Sequence, residues 1–397
     1  MDKGYQRMEK IRIGIICYDL QEFTTDFINR LVDKLDENKY QVKAYPMVDN
    51  VVTSIDIKFQ YTRGKSLKSF KVYKSGNENT THEAMLLNPN YKQAFLSVKE
   101  SDIILHYGLH ATTALIISLL SKVFRVKQIS TNVMLPAKYE TKRSRKILFL
   151  KKFLLNSCNA HVAQTPTSID TLKEVFGIKK NIYYAPFDCG ISYLKDNYID
   201  NKNKVQNEKV EFIFVGNIIE LKGIYILFEA VEKLIHKGVK DFHITMIGPE
   251  SIDINEKRIS VLVEILTRLG IVEFFTFTGR VKYNELEKYF EKADICILPS
   301  LRDTWPKVIF EAALVGLPSL ISDACGQANS FIYDSLNGYI CESNNSDSLK
   351  NKIEQVILNK SNLKVMGINA KKSLNDFINP KKEIKAYEDA IKFVNEN

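Results

Sequence analysis

The stretch that decides the fold runs from Leu298 to Ala313 and reads LPSLRDTWPKVIFEAA. It continues an apolar segment of strand length, residues 293–298, and its second half begins a run of apolar residues at helical spacing, residues 308–315. The pattern therefore predicts a strand, a loop and a helix. Pro306 is expected in the first helical turn, where its missing N–H costs nothing. Residues 317–322 are expected to form the next strand.

Two carboxylates lie around the predicted start of this helix. Asp303 stands in the loop before it, and Glu311 stands inside it. The N–H groups of a helix N-terminus lie between them and can bind a phosphate. Carboxylates beside an anion site suit a ligand that has both phosphates and hydroxyls, such as a nucleotide-sugar. Taken alone, the stretch is equally compatible with a capping Asp and a surface Glu.

The length and composition indicate a soluble protein of more than one domain. A chain of 397 residues is too long for one ordinary core, and its formal charge of +9 is compatible with anionic small molecules, a membrane surface or nucleic acid. The six cysteines form no C-x-x-C pair, which is typical of reduced thiols in a cytosolic protein. No signal peptide is recognisable, and no apolar segment is long enough to span a bilayer.

Strand-length and helix-length patterns alternate in both halves of the chain. The alternation predicts an α/β fold with two doubly wound, Rossmann-like domains. The turn after the first strand, residues 18–23, contains no glycine, and no Walker A pattern occurs, so the familiar phosphate-binding loops are excluded. Residues 50–92 are polar and irregular and are expected to form loops and short strands.

The domain boundaries follow from composition. Residues 1–192 are predicted to form the N-terminal domain and residues 210–378 the C-terminal one. Between them, residues 193–209 are rich in Asn, Lys and Asp and read as a linker. Residues 379–397 are expected to form a helix that crosses back to the first domain.

A second motif lies early in the C-terminal half. Residues 215–223 read VGNIIELKG and separate a predicted strand from a predicted helix. In open parallel sheets, ligands bind at the carboxyl ends of the strands. Lys222, beside Gly223 at the start of a helix, is therefore well placed to pair with a diphosphate. A solvated loop lysine is the alternative.

With these two motifs in place, the C-terminal half resembles the nucleotide-sugar domain of the retaining glycosyltransferases of family 4, which have the GT-B fold. The resemblance covers residues 210–378 in order and spacing. The motifs that carry it are Phe214-Val215-Gly216, Lys222-Gly223, Ile247-Gly248, Phe277-Thr278-Gly279-Arg280-Val281, Ala293-Asp294, Leu298-Pro299-Ser300, Asp303-x7-Glu311-Ala312, Gly316-Leu317-Pro318 and Asn337-Gly338.

The resemblance implies roles for the site residues. Asp303 would contact the hydroxyls of the donor sugar, Glu311 the nucleotide ribose, and Lys222 the diphosphate of the leaving nucleotide, with no metal. These three are the predicted catalytic residues. The other predicted donor-binding residues are Gly216, Asn217, Arg280 and Val281 near the nucleotide, and Trp305, Pro306, Lys307 and Val308, whose backbone would face the phosphate or the sugar.

The implied architecture is GT-B, with two domains facing a cleft. The implied activity is transfer of a sugar from a UDP- or GDP-linked donor to a hydroxyl acceptor, with retention at the anomeric carbon and without a cofactor. The acceptor would be a saccharide or a lipid-linked saccharide, in bacterial surface polysaccharide or lipopolysaccharide synthesis. The expected location is the cytoplasm, with the inner face of the plasma membrane as an option. A nucleotide-sugar epimerase or phosphorylase, or a non-catalytic nucleotide-sugar-binding module, is the alternative.

The chain departs from the family pattern at four places, the first of which is Asp303, one methylene shorter than the glutamate usual there. Asn217 stands where the family often has an arginine, and Asn329 where it often has an acid. No histidine matches the family histidine near the reacting centre. His106 and His110 are the acceptor-side candidates, although a structural or loop role is favoured for both.

The basic segment 142–155, KRSRKILFLKKFLL, is a separate feature. It reads as a helix that either lies on an anionic membrane surface or packs its Leu and Phe side chains on the sheet. The second interpretation is favoured, because the sheet needs apolar cover. Nucleic-acid binding is not predicted, because no recognised module accompanies the charge.

Overall fold

The structure is a computed structural model that describes residues 10–17, 20–47, 51–52, 56–63, 90–108, 111–186, 208–249, 258–282, 285–326 and 328–397. The predicted linker 193–209 lies outside these residues except for its last two positions. His110 and most of the segment 50–92 also lie outside them.

The chain divides into two compact units. The first contains residues 1–133, 140–190 and 379–397, and the second contains residues 134–139 and 191–378. The last helix therefore groups with the first unit. Residues 134–139, which fall inside the predicted N-terminal domain, group with the second unit instead.

Short strands and helices alternate through the first half of the chain. The strands are β1 (Ile11–Cys17), β2 (Leu20–Gln21), β3 (Tyr40–Pro46), β4 (Val51–Val52), β5 (Gln60–Tyr61), β6 (Ile103–His106), β7 (Lys127–Asn132), β8 (Ala160–Ala163) and β9 (Ile182–Tyr184). The helices are α1 (Glu22–Lys34), α2 (Tyr91–Glu100), α3 (Ala111–Phe124), α4 (Ala137–Glu140), α5 (Arg145–Asn156) and α6 (Pro166–Glu174).

The second half repeats the alternation. Its strands are β10 (Val210–Val215), β11 (Phe242–Ile247), β12 (Phe275–Gly279), β13 (Ile295–Leu298), β14 (Ser319–Ser322) and β15 (Gly338–Cys341). Its helices are α7 (Ile224–His236), α8 (Arg258–Arg268), α9 (Leu286–Lys292), α10 (Lys307–Leu314), α11 (Ser346–Leu358), α12 (Leu363–Phe377) and α13 (Pro380–Glu396).

Each unit is built on one parallel sheet. The first sheet has the order β5-β3-β1-β6-β7-β8-β9, and the second has the order β12-β11-β10-β13-β14-β15. All the strand pairs in both sheets are parallel. In the second sheet the strand order runs outward in both directions from β10 and β13, which is the doubly wound Rossmann arrangement. The predicted fold class of two Rossmann-like domains is confirmed.

The predicted strand, loop and helix around residues 298–313 are present as β13 and α10. The helix begins at Lys307, so Pro306 precedes it rather than lying in its first turn, because its ψ of 80° is not helical. Helix α2 and strand β15 were not predicted from the sequence. No helix among the described residues combines the length and the apolar character needed to cross a membrane.

Helix α13 completes the core of the first unit. Its Tyr387 is fully buried and contacts the ring of Phe27 on α1, with the ring centroids 4.8 Å apart. Glu383, also fully buried, accepts a hydrogen bond from Arg30 Nη1 of α1 at 2.8 Å. A charged group in this setting is stable only while its partner is present. The ion pair therefore fixes the last helix to the first unit.

We expect Arg30→Ala to lower the free energy of unfolding of the first unit by about 3 kcal/mol, because it leaves the Glu383 carboxylate buried without its cation. Hydrogen exchange of the amides in α13 measures this loss locally. The matched control is Lys385→Ala, which removes an exposed ion pair with Asp389 on the same helix and should cost less than about 1 kcal/mol. Equal exchange rates in the two variants would contradict this role of Arg30.

Candidate functional site

The predicted site residues lie at the carboxyl edge of the second sheet. Strands β10 and β13 are neighbours there, with Phe212 and Ile213 paired with Ile295 and Cys296. The connection after β10 turns to one side of the sheet and the connection after β13 to the other, so a crevice opens between the two strand ends. The loop after β10 carries Lys222, and the loop after β13 carries Asp303.

The two loops are joined through their backbones. Leu301 N donates a hydrogen bond to Leu221 O at 2.9 Å. Gly223 has a φ of 76°, and a Cβ placed on it would lie 1.9 Å from Pro299 O. Only glycine allows this approach, since any side chain would collide with the backbone of the other loop. The Lys222-Gly223 motif is thus a packing requirement that also determines where the lysine lies.

Lys222 and Asp303 form an ion pair in this crevice. Lys222 Nζ lies 2.5 Å from Asp303 Oδ2, and the side chain of Asp303 is only 10% exposed. A charge-assisted hydrogen bond in a partly buried place is stronger than one at the open surface. Two residues predicted to act together, 81 positions apart in the chain, are therefore in direct contact.

The carboxylate of Asp303 is held at both oxygens. Its Oδ1 accepts a hydrogen bond from Trp305 N at 3.0 Å, while Oδ2 accepts from Lys222. Its backbone is anchored to the loop after β14, where Asp303 N donates to Ala324 O at 3.1 Å and Gly326 N donates to Asp303 O at 2.8 Å. Since so many contacts fix it, the carboxylate has little freedom to rotate.

Glu311 lies in α10, whose residues from Val308 to Leu314 are all buried. It is 5% exposed, and Lys307 Nζ lies 3.4 Å from its Oε1, one helical turn away. A carboxylate is costly to bury, so its position inside an apolar helix calls for polar partners. Glu311 and Lys307 therefore form a second polar pair in the element that follows the Asp303 loop.

The backbone amides near Trp305 differ from the prediction. Trp305 N donates to Asp303 Oδ1, and Lys307 N donates to Trp305 O at 2.9 Å. These two N–H groups are engaged within the loop, and Pro306 has none. The Trp305 ring stacks on Phe310, with the centroids 4.7 Å apart. Among the predicted anion contacts, Lys222 has its ammonium group between the two loops.

The remaining predicted donor-binding residues lie along the same edge. Gly216 directly follows β10, with a φ of 150°, and the exposed Asn217 comes next. Arg280, also exposed, and the half-buried Val281 follow β12, which is two strands away from β10. The structure places Gly216 and Asn217 beside the crevice, whereas Arg280 and Val281 lie farther along the sheet.

Sequence reasoning missed a polar cluster next to this site. Asp323, directly after β14, accepts hydrogen bonds from Lys138 Nζ and Tyr139 Oη, and from Ser343 N at 2.9 Å. Burial favours a raised pKa for Asp323, but the hydrogen bonds from Lys138 and Tyr139 outweigh it and lower the pKa. Ala324, next to Asp323, accepts a hydrogen bond from Asp303 N. The cluster therefore helps to hold the Asp303 loop in place. A carboxylate at a strand's carboxyl end was the signal that could have revealed it.

The acceptor-side candidates are in the first unit. His106 is the last residue of β6, is 1% exposed, and its Nε2 lies 2.8 Å from Gln128 Oε1 on β7. Burial lowers the pKa of His106 to about 4, and the Gln128 contact offsets this only in part. This setting fits the structural alternative for His106. His110 lies outside the described residues.

Across the part of the chain that the structure describes, no group of three His, Cys, Asp or Glu side chains is arranged to hold a metal ion.

The second unit resembles a known protein family. Residues 196–373 match the family model described as Glycosyl transferases group 1. A relative, an uncharacterized glycosyltransferase of Methanocaldococcus jannaschii, is 25% identical over 240 residues, which are 60% of this chain and 57% of the relative. The chain spans about half the length of these curated relatives. The family match lies within the second unit.

Two further comparisons add detail. The UDP-Gal:alpha-D-GlcNAc-diphosphoundecaprenol alpha-1,3-galactosyltransferase of Escherichia coli is 30% identical over 96 residues, 24% of each chain. The solved sucrose-phosphate synthase of Thermosynechococcus elongatus superposes with a TM-score of 0.69 at 13% identity, over 97% of this chain and 99% of the other. At this identity the superposition establishes the shared fold.

We expect His106 to remain neutral from pH 7 down to about pH 4, because burial disfavours the imidazolium form. The neutral form stabilises the fold above the ordinary pKa of 6.5, and that stabilisation is lost as the pH falls from 6.5 towards 4. NMR titration of the histidine-labelled chain, with the resonance assigned through His106→Gln, measures this pKa. The chain unfolded in urea gives the reference value. Titration of His106 near 6.5 in the folded chain would contradict the structural role.

Proposed function

We propose that this chain is a glycosyltransferase that moves a sugar from a nucleotide-sugar donor to a hydroxyl acceptor and retains the anomeric configuration. The match of residues 196–373 to Glycosyl transferases group 1 is the premise. The observation that carries the proposal is the ion pair of Lys222 and Asp303 at the switch point between β10 and β13, with Glu311 in the helix that follows. One cation and one carboxylate thus meet in the crevice, and a second carboxylate lies in the adjoining helix.

The first step assigns the diphosphate to Lys222. When the bond between the sugar and the nucleotide breaks, negative charge develops on the diphosphate oxygens, and an ammonium group held beside them stabilises it. In the structure, Lys222 pairs with Asp303 Oδ2. A diphosphate offers the same ammonium further anionic oxygens, so Lys222 can bind it without losing its charge compensation.

The second step assigns the donor sugar to Asp303. A carboxylate accepts hydrogen bonds from two hydroxyl groups, and the Trp305 N–H fixes its orientation through Oδ1. Aspartate is one methylene shorter than the glutamate usual at this position in the family that the sequence resembles. We propose that this length sets the distance to the sugar and thereby the choice of donor.

The third step assigns the ribose to Glu311. Its carboxylate is buried, and ribose hydroxyls would supply donors to it as the nucleotide binds. Lys307 Nζ, 3.4 Å away and half-exposed, keeps a positive charge at the mouth of the site. The nucleotide would then lie along the carboxyl edge of the sheet, past Gly216 and Asn217 and towards Arg280 and Val281.

The donor and acceptor are proposed as classes. We propose a UDP- or GDP-linked sugar, of which UDP is supported by the E. coli relative whose name contains UDP-Gal. The acceptor would be a saccharide or a lipid-linked saccharide, and the name of the same relative contains a lipid diphosphate. Retention, metal independence and a place in bacterial surface polysaccharide or lipopolysaccharide synthesis are proposed from the resemblance to family 4. The proposed location is the cytoplasm, with the inner face of the plasma membrane as an option.

We expect nucleoside diphosphates to raise the melting temperature of the chain, because a ligand that binds only the folded state stabilises it in proportion to the logarithm of its concentration over Kd. A thermal-shift screen of UDP, GDP and their sugar conjugates identifies the donor base. Lys222→Ala should weaken binding by roughly 10- to 100-fold, since a charge-assisted hydrogen bond is lost. The matched control, Lys233→Ala, removes a surface ion pair on the next helix and should bind like the native chain. Equal shifts in both variants would overturn the assignment of Lys222.

We expect Lys222→Ala to lower the rate of donor cleavage by roughly 100-fold or more at saturating donor, as for the loss of one electrostatic contact to a developing anion. Glu311→Gln should mainly raise the KM for the donor. Product analysis separates the alternatives: an isomerised donor indicates an epimerase, and binding without turnover indicates a binding module.

Asp303→Glu tests donor choice. It is expected to change the ranking of sugar nucleotides by kcat/KM while leaving the affinity for the free nucleoside diphosphate within about threefold, because the carboxylate remains but reaches farther. A changed affinity for the diphosphate with an unchanged sugar ranking would contradict the division of roles.

A further inference from the structure

Three helices of the first unit expose apolar side chains on one surface. Among the described residues of that unit, every exposed large apolar side chain except Tyr61 lies on α2, α3 or α5. We refer to this surface as the apolar–basic face, and its apolar members are Tyr91, Phe95, Leu119, Val123, Phe124, Ile147 and Phe149. Val123 is 76% exposed and Phe149 is 73% exposed.

Contacts between the helices make this surface continuous. The rings of Phe95 on α2 and Phe124 on α3 meet edge to face, with the centroids 6.5 Å apart. Lys122 Nζ on α3 lies 5.1 Å from the ring centroid of Phe153 on α5. The exposed side chains therefore lie on neighbouring elements rather than being scattered over the unit.

The sequence left two roles open for helix α5, contact with a membrane surface and packing against the sheet. The two halves of the helix differ in burial. Its C-terminal half contributes Leu154 and Leu155 to the interior of the unit, where both are buried. Its N-terminal half leaves Ile147 and Phe149 in solvent. Burial inside the unit accounts for the first pair and does not account for the second pair.

The same helices carry a large excess of positive charge. Their sequences contain a single carboxylate, Glu100, which accepts hydrogen bonds from Lys43 and Tyr45. One of their basic residues, Lys151, pairs with Glu140 Oε1 at 2.5 Å. The other basic residues are Lys92, Lys99, Lys122, Arg145, Lys146 and Lys152. A surface that combines exposed aromatic rings with unbalanced positive charge is complementary to an anionic surface that has an apolar interior.

We propose that the apolar–basic face docks on an anionic lipid bilayer. The rings of Phe149 and its neighbours enter the boundary between headgroups and acyl chains, and the Lys and Arg side chains meet the lipid phosphates with their stems along the apolar layer. The proposal does not rest on the transferase activity, because it concerns another surface and is measured without donor. If the activity is confirmed as well, docking would bring the enzyme to a lipid-linked acceptor.

Vesicle flotation of the full chain tests the proposal. The chain should float with vesicles of phosphatidylcholine and phosphatidylglycerol mixed at about 3:1, weakly with phosphatidylcholine alone, and less as salt is raised. Arg145→Gln/Lys146→Gln should lower the partition coefficient roughly 25-fold, at about fivefold per basic residue. Ile147→Ser/Phe149→Ser should lower it at least about tenfold.

Matched controls distinguish an effect of the apolar–basic face on vesicle binding from an effect of net charge or of misfolding. Lys179→Gln/Lys180→Gln removes two exposed charges elsewhere in the same unit and should bind vesicles like the native chain. Phe149→Trp reports insertion directly, since its fluorescence should shift to shorter wavelength with anionic vesicles. Tyr61→Trp, at the exposed site off the face, should not shift. The native Trp305 is the only other tryptophan.

Equal vesicle binding by the 145/146 and 179/180 variants would overturn the proposal, as would an unshifted Phe149→Trp spectrum. Loss of self-association in Ile147→Ser/Phe149→Ser, with no vesicle binding by the native chain, would assign the face to a second copy of the chain instead.

Discussion

The contact between Lys222 and Asp303 exists because β10 and β13 are neighbours in a doubly wound sheet. The chain forms three strands on one side of this point and returns to form three on the other, so two loops far apart in sequence open onto one crevice. Gly223 then lets the loops approach until their backbones touch. The topology places the residues and the glycine sets their separation. Without both, the lysine would be an ordinary surface cation.

The surroundings of the pair turn a contact into a rigid site. Both carboxylate oxygens of Asp303 accept hydrogen bonds, one from Trp305 N and one from Lys222. Its backbone is hydrogen-bonded to the loop after β14. That loop is in turn held by Asp323, which takes hydrogen bonds from Lys138 and Tyr139. Preorganised charge of this kind stabilises a developing anion without the cost of rearrangement during the reaction. The support extends to residues 134–139, a segment that is far from the site in sequence.

The sequence was sufficient for the parts of this description that depend on local pattern. Apolar runs and helical spacing predicted β13, α10 and both Rossmann-like sheets, because those patterns reflect burial on one face or in the sheet. Helix α2 was missed because it follows a long polar segment. The grouping of residues 134–139 with the second unit was missed because no local pattern encodes which sheet a connecting segment packs against. Likewise, the hydrogen bonds donated by the backbone N–H groups of Trp305 and Lys307 depend on loop geometry that a sequence does not specify.

The central claim is that the crevice at the ends of β10 and β13 binds the diphosphate of a nucleotide-sugar. A crystal structure of the chain with the nucleoside diphosphate that stabilises it most tests this claim directly. We predict phosphate density within hydrogen-bond distance of Lys222 Nζ, with the ribose at Glu311 and with the Asp303 carboxylate, still held by Trp305 N, facing the sugar position. Phosphate density elsewhere, with the Lys222–Asp303 pair intact, would contradict it.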